Sequence, residues 1–368
     1  MKFCISLLLF SSALYALEPL VDKTAERQEK QVRRLIAKGD KDGDGNIHKK
    51  ENKVIWGKYG KSDENKDAML DVSELRKAFA KRIDSPGEKI LNIRYKETPQ
   101  GSVYLDFYYP DEDTNKEKPV VVFTHGGGWA AGNKTKASHA LFNTVHRALL
   151  KEGFCVMSVG YRLIKNEETA IRDCVVDCKD AVRFISAHKN ELGIDPEKIY
   201  TFGDSAGGHL AQMLLLSPPE TFTGDPELAK YSYKVIAGVS WYGPCDFQDI
   251  QLFNPDESED FEDRFGPRIM SKDSSPSDKE ARYKEVSPIV YLTDKSAPLL
   301  MIQGDRDTTI PVKQAYRMKK ELKSVAAPVE IMIVKNSGHN WRDVKAPITP
   351  TKREIVEKTV SFLLKHKK

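Results

Sequence analysis

The feature that most constrains this chain is the stretch Gly-Asp-Ser-Ala-Gly-Gly at residues 203–208. An apolar run at 198–202 precedes it and predicts a short buried strand, and the composition of residues 209–215 favours a helix. The glycines two before and two after the serine carry no side chain, so a strand and a helix can meet there at a very sharp turn. A strand, a glycine-flanked turn and a helix are the context that exposes a serine nucleophile, and Ser205 is therefore the candidate.

The motif alone does not establish a nucleophile, because G-x-S-x-G also occurs in ordinary turns between a strand and a helix. A serine hydroxyl becomes a good nucleophile only when a neighbouring base takes its proton and a carboxylate orients that base. The remainder of the sequence decides whether such groups are present.

Apolar runs alternate with helix-like segments over residues 87–368, which predicts an α/β domain with a mostly parallel central sheet flanked by helices. The predicted strands lie near residues 90–95, 103–109, 119–124, 154–159, 198–202, 235–241, 299–303 and 329–334, and the first two are expected to pair antiparallel. The main helices are predicted near residues 137–151, 169–190, 209–215 and 351–366. Residues 245–297 are polar and acidic without periodicity, and we expect them to form a cap inserted over the site.

Two loops late in the chain supply a candidate acid and a candidate base. Gly-Asp-Arg-Asp, which ends at Asp307, follows one predicted strand directly, and Ser-Gly-His, which ends at His339, follows the last strand. Both loops leave strand ends at the edge of the sheet that carries Ser205. We therefore predict a triad of Ser205, Asp307 and His339, in this chain order. Asp305 is the rival acid, and Asp307 is preferred because it lies farther into the loop, whereas Asp305 is placed to cap a turn.

A glycine-rich loop early in the domain supplies groups that can stabilise negative charge. His-Gly-Gly-Gly at 125–128 follows the strand near 119–124, and backbone without side chains can approach a substrate closely. We predict that the N–H groups of Gly127, Gly128 and Ala206 form an oxyanion hole. An ordinary glycine-rich turn is the structural alternative.

Residues from about 90 to 368 resemble an α/β-hydrolase of the esterase and lipase group with an HGGG motif. The segments that carry the resemblance are Thr-His-Gly-Gly-Gly-Trp at 124–129, Gly-Tyr-Arg at 160–162, Asp-Pro-Glu-Lys-Ile at 195–199 and Gly-Asp-Ser-Ala-Gly-Gly at 203–208. The chain is similar to secreted carbohydrate acyl esterases, including acetyl-xylan and feruloyl esterase-like enzymes. Kynurenine formamidases and steryl-acetyl hydrolases share these motifs, which leaves several substrate classes open.

The N-terminal part contains two twelve-residue stretches with the pattern of calcium-binding loops, which start at Asp40 and Asp63. Carboxylate and carbonyl groups at positions one, three, five, seven and twelve supply the oxygens that calcium prefers. The predicted ligands are Asp40, Asp42, Asp44, Asn46 and Glu51 in the first loop and Asp63, Asn65, Asp67, Met69 and Glu74 in the second. Gly45 makes the sharp turn in the first loop, whereas Ala68 replaces glycine in the second and is expected to strain it. A solvated acidic turn is the alternative for either loop.

The two loops together resemble an EF-hand pair, with Ile47 and Leu70 placed to pair between them. The loops begin 23 residues apart, from Asp40 to Asp63, so a single helix near 51–59 must serve both. This compact spacing also resembles that of dockerin modules, which bind a partner protein, and a protein partner for this module therefore stays open. Both loops lie far in sequence from the predicted triad, so we expect calcium to be structural and catalysis to need no cofactor.

Residues 1–16 have the pattern of a secretory signal, with Lys2 near the start, an apolar run and a small-residue end. The run is too short to span a bilayer, and no other apolar stretch is long enough. We therefore expect a secreted or periplasmic protein with a signal peptide at 1–16, an EF-hand pair at 17–86 and a catalytic domain at 87–368. Ser-Pro-Gly at 85–87 breaks the preceding helix and marks the boundary.

Charge and cysteine content limit the partners and the cross-links. The chain has 58 basic and 54 acidic residues in an interspersed pattern, which gives no reason to expect a nucleic-acid partner. Four cysteines follow the signal, at 155, 174, 178 and 245, and they allow three pairings. Cys174 and Cys178 lie about one turn apart on a predicted helix, where a disulfide fits poorly, so at least two buried free thiols are expected.

These parts together predict a secreted serine esterase that cleaves short or aromatic acyl esters of carbohydrate through an acyl-enzyme. A small-molecule or polysaccharide ester is the expected substrate. A serine peptidase or amidase of the same fold stays open, as does a calcium-dependent binding protein with a lost hydrolase site. Trp129, Tyr161, Trp241 and Trp341 are candidates for lining the pocket, and core packing is the alternative, which is favoured for Trp241.

Overall fold

The structure is a computed structural model that describes residues 32–60, 63, 65–75, 89–110 and 117–368. The chain divides into two compact units, Met1–Ser85 and Pro86–Lys368. The predicted signal peptide at 1–16 and the predicted helix break at 85–87 lie outside the described residues.

The second unit is built on eight strands, which are β1 Lys89–Thr98, β2 Gly101–Tyr108, β3 Lys118–Thr124, β4 Cys155–Val159, β5 Ile194–Asp204, β6 Val235–Trp241, β7 Leu299–Gly304 and β8 Val329–Val334. They form one sheet in the order β8-β7-β6-β5-β3-β4-β2-β1. β2 pairs antiparallel with both β1 and β4, whereas all the other neighbours are parallel. The predicted α/β class with a mostly parallel sheet is confirmed, and each predicted strand is present.

The α-helices of this unit are α1 Ala140–Lys151, α2 Ile171–Ala187, α3 Lys189–Leu192, α4 Ala206–Leu216, α5 Gly266–Ile269, α6 Lys279–Glu285, α7 Lys313–Glu321 and α8 Lys352–Lys365. Short 3-10 helices occur at Lys134–Ser138, Ile250–Phe253, Pro276–Asp278, Pro288–Tyr291 and His339–Trp341. The predicted helix near 137–151 is divided, because His139 is extended and separates a 3-10 helix from α1. Within the described residues, no helix combines the length and the apolar character that crossing a bilayer requires.

The central strands are buried on both faces, which accounts for their continuous apolar sequences. Residues 120–123 of β3 are fully buried. The rings of Phe123 and Phe202 lie 5.4 Å apart between centroids, and Phe202 lies 4.8 Å from Trp241, so aromatic contacts link β3, β5 and β6. This packed centre holds the strand ends from which the site loops leave.

Three strands deliver the candidate triad to one edge of the sheet. β5 is followed at once by Ser205, β7 by a loop that contains Asp307, and β8 by a loop that contains His339. Because these strands are parallel, their carboxyl ends lie at the same edge. The connection between β6 and β7, residues 242–298, is the segment that lacked periodicity, and it folds into short helices joined by loops.

Cys155, Cys174, Cys178 and Cys245 are buried and free, which confirms the expectation of buried thiols. Burial raises the pKa of the Cys155 thiol to about 12. Burial also raises the pKa values of Cys174 and Cys178 well above the ordinary value. A thiol that stays protonated is a poor nucleophile, so these cysteines are packing residues.

The described part of the first unit is organised around a two-stranded ladder. Ile47–His48 pairs antiparallel with Met69–Leu70, and Ile47 lies opposite Leu70, which confirms the predicted pairing between the loops. The helical segments are residues 32–39, Lys53–Tyr59 and residues 72–75. A small apolar cluster is buried here and consists of Val32, Ile47, Ile55, Leu70 and Leu75.

Candidate active site

Ser205 occupies the turn between β5 and α4, with φ 53° and ψ −122°. A residue with a side chain rarely adopts this conformation, and such strain persists only where the surrounding structure enforces it. The Ser205 N–H donates to the Trp241 carbonyl at 2.8 Å, which ties the turn to the end of β6. The sharp turn expected from the sequence thus places the serine hydroxyl at the sheet edge.

Close backbone packing explains the two glycines that flank this turn. A Cβ on Gly203 would lie 2.2 Å from the Gly207 carbonyl oxygen, and a Cβ on Gly207 would lie 2.0 Å from the Thr124 carbonyl oxygen. The Thr124 hydroxyl also donates to the Gly207 carbonyl at 2.7 Å. Any larger residue at either position would therefore push α4 away from β3 and β5.

The three predicted triad residues form one chain of hydrogen bonds. His339 Nε2 lies 3.0 Å from Ser205 Oγ, and His339 Nδ1 lies 2.7 Å from Asp307 Oδ2. When Nδ1 carries the proton and donates it to the carboxylate, Nε2 is left to accept the serine proton. The Tyr242 ring packs against the imidazole at a centroid distance of 4.7 Å and restricts its orientation.

The acid in this chain is Asp307, and Asp305 points elsewhere. Asp307 Oδ1 accepts hydrogen bonds from the N–H groups of Thr309 at 2.8 Å and Ile310 at 2.9 Å, which fix the carboxylate. Asp305 lies 3.6 Å from the Lys335 ammonium instead. The preference for the residue deeper in the loop therefore agrees with the geometry.

The glycine-rich loop lies beside Ser205. Gly127 has φ 133° and Gly128 has φ 60°, both in the region that favours glycine. Within the described part of the chain, the N–H groups of Gly127, Gly128 and Ala206 donate to no protein acceptor. The Ala206 N–H is unpaired because it belongs to the first turn of α4. The three predicted donors are therefore available to an oxyanion.

Asp204, which precedes the serine, holds the glycine-rich loop in place. Its Oδ1 accepts from the Gly126 N–H at 2.9 Å, and its Oδ2 lies 2.7 Å from the Lys136 ammonium. The carboxylate is fully buried, whereas the Lys136 side chain is 24% exposed. A single buried side chain thus connects the strand that carries Ser205 with the loop that carries the oxyanion donors. The sequence analysis missed this role, although Asp204 lies inside the motif.

Two buried histidines support the same loop. His209 Nε2 lies 2.7 Å from the Val286 carbonyl and donates to it, which leaves Nδ1 to accept from the Trp129 indole N–H at 3.3 Å. His125 stacks on Tyr161, whose hydroxyl donates to the His125 carbonyl at 2.6 Å. Burial lowers the pKa of each histidine to about 4, so both are neutral supporting groups.

A pocket of about 400 Å³ opens above the serine. It is lined by the glycine-rich loop, the nucleophile turn, the histidine loop and part of the β6–β7 connection, namely Gly127, Gly128, Trp129, Lys136, Asp204, Ser205, Arg264, Phe265, Arg268, Thr309, Ile310, His339 and Asn340. Arg264, Phe265 and Arg268 are contributions that the sequence analysis missed. They lie in a segment without periodicity or motif, so no local signal pointed to them.

Only one of the four aromatic candidates for the pocket wall lies there. Trp129 lines the pocket, whereas Trp241 is in the core, as favoured. The expectation was wrong for Tyr161 and Trp341. Tyr161 is stacked behind the glycine-rich loop, and Trp341 packs on Trp241 and Tyr242 at 5.7 and 4.6 Å. An aromatic side chain fits a core and a pocket equally well, so residue type could not separate the two.

The predicted ligands of the first loop converge in part. Oxygen atoms of Asp40, Asp42 and Asp44 lie within 4.8 Å of one another, and a second group combines Asp42, His48 and Glu51. The Glu51 carboxylate accepts from the His48 N–H at 2.9 Å and from the Lys41 N–H at 3.3 Å, and the second contact holds the end of the loop against its start. Such a set of oxygens fits calcium.

The second loop shows the strain expected from its sequence. Ala68 has φ 64°, where glycine is favoured. Its N–H donates to Asp63 Oδ2 at 3.1 Å, and Asp63 Oδ1 is buried without a hydrogen-bond partner. Asn65 donates to Asp67 at 2.8 Å, so these two ligands are neighbours. An unpaired buried carboxylate oxygen is a group that a cation would satisfy.

Comparison with known proteins adds a family to this geometry. A family model described as BD-FAE matches residues 105–322. This match covers β3 to β7, Ser205, the glycine-rich loop and Asp307, and it ends before His339.

Relatives of known name include esterases. The probable carboxylic ester hydrolase LipM of Mycobacterium tuberculosis is 29% identical over 224 residues, which make up 61% of this chain and 49% of LipM. Esterase LipC of the same organism is 28% identical over 240 residues, or 64% of this chain and 56% of LipC. The isoprenylcysteine alpha-carbonyl methylesterase ICME of Arabidopsis thaliana is 26% identical over 286 residues, which make up 74% of this chain and 61% of ICME. This chain thus spans less than two thirds of the length of each of these relatives.

Solved structures share the fold. The apo form of Thermogutta terrifontis esterase 2 aligns with a TM-score of 0.60 and 23% identity, over 77% of this chain and 96% of that chain. A truncated carbohydrate esterase from gut microbiota aligns with a TM-score of 0.62 and 22% identity, over 77% of this chain and 97% of that chain. At these identities the likeness establishes the α/β-hydrolase fold.

Proposed function

Because the chain belongs to the BD-FAE family, we propose that it is a carboxylic ester hydrolase that works through an acyl-enzyme on Ser205. The observation that carries this proposal is the continuous hydrogen-bond chain from Ser205 through His339 to Asp307. It lies beside three unpaired N–H groups, which is the arrangement that acyl transfer requires.

The first half-reaction forms the acyl-enzyme. His339 Nε2 takes the hydroxyl proton while Ser205 Oγ attacks the ester carbonyl, and Asp307 holds the imidazolium in position. The N–H groups of Gly127, Gly128 and Ala206 donate to the developing oxyanion. When the tetrahedral intermediate collapses, His339 returns the proton to the leaving alcohol.

The second half-reaction releases the acid. Water takes the place of the alcohol and gives a proton to His339 as it attacks the acyl-serine carbonyl. The same donors stabilise the second tetrahedral intermediate, which collapses when His339 protonates Ser205 Oγ. Asp204 is a positioning residue in both steps, because it holds Gly126 and hence the oxyanion loop.

Short or aromatic acyl esters of carbohydrate are the proposed substrates. The family match and the resemblance of residues 124–129 and 203–208 to carbohydrate acyl esterases support this assignment. A pocket of about 400 Å³ is at the small end of the range for ligand sites and suits a compact acyl group.

An ester panel tests the activity. It contains p-nitrophenyl acetate, longer p-nitrophenyl esters, acetylated xylan and methyl ferulate, each measured with wild type and Ser205→Ala. We expect short-chain turnover that falls by about 10³-fold or more in the variant. Ser217→Ala is the matched control and should keep activity, because Ser217 is a buried serine that does not line the pocket above Ser205. Full activity in Ser205→Ala would refute the proposal.

An amidase or peptidase of the same fold is the second candidate, because the triad chemistry also cleaves amides. Matched anilide and ester substrates with the same acyl group separate the two. Turnover of the anilide alone would assign an amidase. No turnover of either substrate would favour a binding protein with a lost hydrolase site.

We also propose that the first unit binds structural calcium through the ligands of its two loops. The converging oxygens of Asp40, Asp42 and Asp44 and the buried unpaired oxygen of Asp63 support this. Calorimetric calcium titration should give binding that weakens in Glu51→Gln and is unchanged in Glu97→Gln, an exposed site in the other unit. Chelation should leave esterase activity intact, and an immediate, reversible loss of activity without unfolding would contradict a structural role.

Export is proposed from the sequence of residues 1–16, with a secreted or periplasmic destination. Cell fractionation and N-terminal sequencing should find a mature chain that begins at Leu17. A protein partner for the first unit, in the manner of dockerins, is a proposal that co-purification from the native organism tests.

A further inference from the structure

Two arginines of the β6–β7 connection stand at the pocket wall. Arg264 and Arg268 both line the pocket with Ser205 and His339. Arg268 reaches the oxyanion loop, because its Nη1 lies 2.8 Å from where a Cβ of Gly128 would stand. A guanidinium group therefore stands beside the loop that carries two of the proposed oxyanion donors.

Neither guanidinium group has a carboxylate partner in the described part of the chain. Arg264 donates to the Thr309 carbonyl, and both arginines lie over the Phe265 ring at 5.1 and 5.8 Å. These contacts orient the two groups and leave them without a directly paired carboxylate. Most other arginines of this unit, by contrast, are paired with acids, as Arg162 is with Asp177 at 2.8 Å.

The acids near the pocket are already engaged. Asp204 binds Lys136, and Asp307 receives His339 and two backbone N–H groups. Asp263, next to Arg264 in sequence, accepts from the Tyr283 hydroxyl and from backbone N–H groups. The pocket thus has an excess of positive charge at the rim formed by Arg264 and Arg268.

The positive charges of Arg264 and Arg268 also repel each other. Partial burial lowers the pKa of Arg264, the Asp307 charge raises it, and the charge of Arg268 lowers it again. Like charges that share a pocket wall cost free energy, and an anion between them relieves that cost. Guanidinium groups bind carboxylates with paired, charge-assisted hydrogen bonds.

We propose that Arg264 and Arg268 select ester substrates that carry a carboxylate close to the scissile bond. This inference rests on the proposed esterase function and names the class of ester. The carboxylate belongs either to the acid part, as in a half-ester of a dicarboxylic acid, or to the alcohol part, as in an acylated uronic acid. Both sources present the same group to the two guanidinium groups.

Two substrate pairs test the proposal and separate the sources. Monoethyl succinate is compared with ethyl succinamate, its neutral amide analogue. The acetylated methyl glycoside of glucuronic acid, which keeps a free carboxylate, is compared with the acetylated methyl glycoside of glucose, which is neutral. Acid release by the full chain is followed in a pH-stat at low and high salt. We expect kcat/KM to favour the anionic member of one pair by about tenfold at low salt and less at high salt.

Variants show whether the arginines are responsible. Arg264→Gln and Arg268→Gln should each bring the anionic-to-neutral ratio of kcat/KM close to one, whatever their effect on the turnover of the neutral ester. Arg268→Lys keeps the charge and should retain part of the preference. Arg282→Gln is the matched control, because Arg282 lies in the same connection, outside the pocket, and pairs with Glu285.

The outcomes separate this inference from the function on which it rests. Equal turnover of anionic and neutral esters by wild type would overturn the inference and leave the esterase proposal standing. An equal fall in preference in Arg282→Gln would also overturn it, because the general field of the protein would then be the cause. Absence of turnover on all four esters and on p-nitrophenyl acetate would overturn both proposals.

Discussion

The Asp204 carboxylate offers a sharp test of how the oxyanion loop is held. In Asp204→Asn, the side-chain amide oxygen can still accept from the Gly126 N–H, but the NH2 group then faces the Lys136 ammonium. One charge-assisted hydrogen bond is lost, which typically contributes about 1.5–3 kcal/mol. Breaking a fully buried pair costs about 3–5 kcal/mol. Because Lys136 is 24% exposed and can turn toward water, we expect a loss of about 2 kcal/mol in the free energy of unfolding.

The same change should lower the rate. Removing one oxyanion donor outright costs about 10²–10³-fold in kcat. Loosening the Gly126 anchor only misaligns the donors at Gly127 and Gly128, so we expect a fall of about 10- to 100-fold in kcat on p-nitrophenyl acetate. The midpoint of thermal unfolding, followed by circular dichroism, should fall by roughly 3–4 °C for a unit as large as Pro86–Lys368.

Asp246→Asn is the matched control. Asp246 is 3% exposed and lies 3.0 Å from Arg317, whose side chain is 27% exposed, so the pair resembles Asp204 and Lys136 in burial. This variant should lose similar stability and keep kcat within about twofold, because neither residue lines the pocket. A kcat of Asp204→Asn within about threefold of wild type, or an equal loss in the control, would refute the positioning role.

Three further predictions follow from other contacts. Gly207→Ala should prevent folding of the second unit, because its Cβ would lie 2.0 Å from the Thr124 carbonyl oxygen. Gly193→Ala is the control, since its Cβ would meet no atom, and it should lower the free energy of unfolding by only about 1 kcal/mol. Soluble yield and circular dichroism show whether each variant folds. Burial lowers the folded-state pKa of His146 to about 4, below the unfolded value, so its contribution to stability is present above pH 6.5 and is lost as pH falls toward 4. Urea unfolding of His146→Leu should show a pH slope shallower by up to about 1.4 kcal/mol per pH unit in that window and unchanged above it. Ala68→Gly should relieve positive φ and stabilise the second loop by about 1 kcal/mol, seen as slower hydrogen exchange at residues 65–75, and faster exchange would contradict the strain.

The strands and the triad could be predicted because their signals are local. A buried parallel strand has a continuous apolar sequence, as residues 120–123 do, and site residues follow directly where such strands end. Ser205 follows its strand directly, and Asp307 and His339 lie in the loops after two other strands, each within a few residues of a glycine. Together with the chain order, these local signals grouped the three residues.

The support and the walls of the pocket could not be predicted in this way. Asp204 meets Lys136, which is 68 residues earlier in the chain, and only folding shows that the two are partners. Arg264 and Arg268 lie in a segment whose helices are too short for a periodic pattern, such as Gly266–Ile269. Their position depends on how that segment packs, and the sequence carries no local trace of it.

The β6–β7 connection has a consequence for how enzymes of this kind diversify. Its ends are fixed by neighbouring strands, since Gly238 of β6 pairs in register with Leu299 of β7. The residues that perform the chemistry stand on other loops, whereas Arg264 and Arg268 stand on this one. Insertions, deletions or grafts that leave Tyr242 and Val286 in place can therefore change the proposed substrate-selecting wall while His339 and the glycine-rich loop keep their supports.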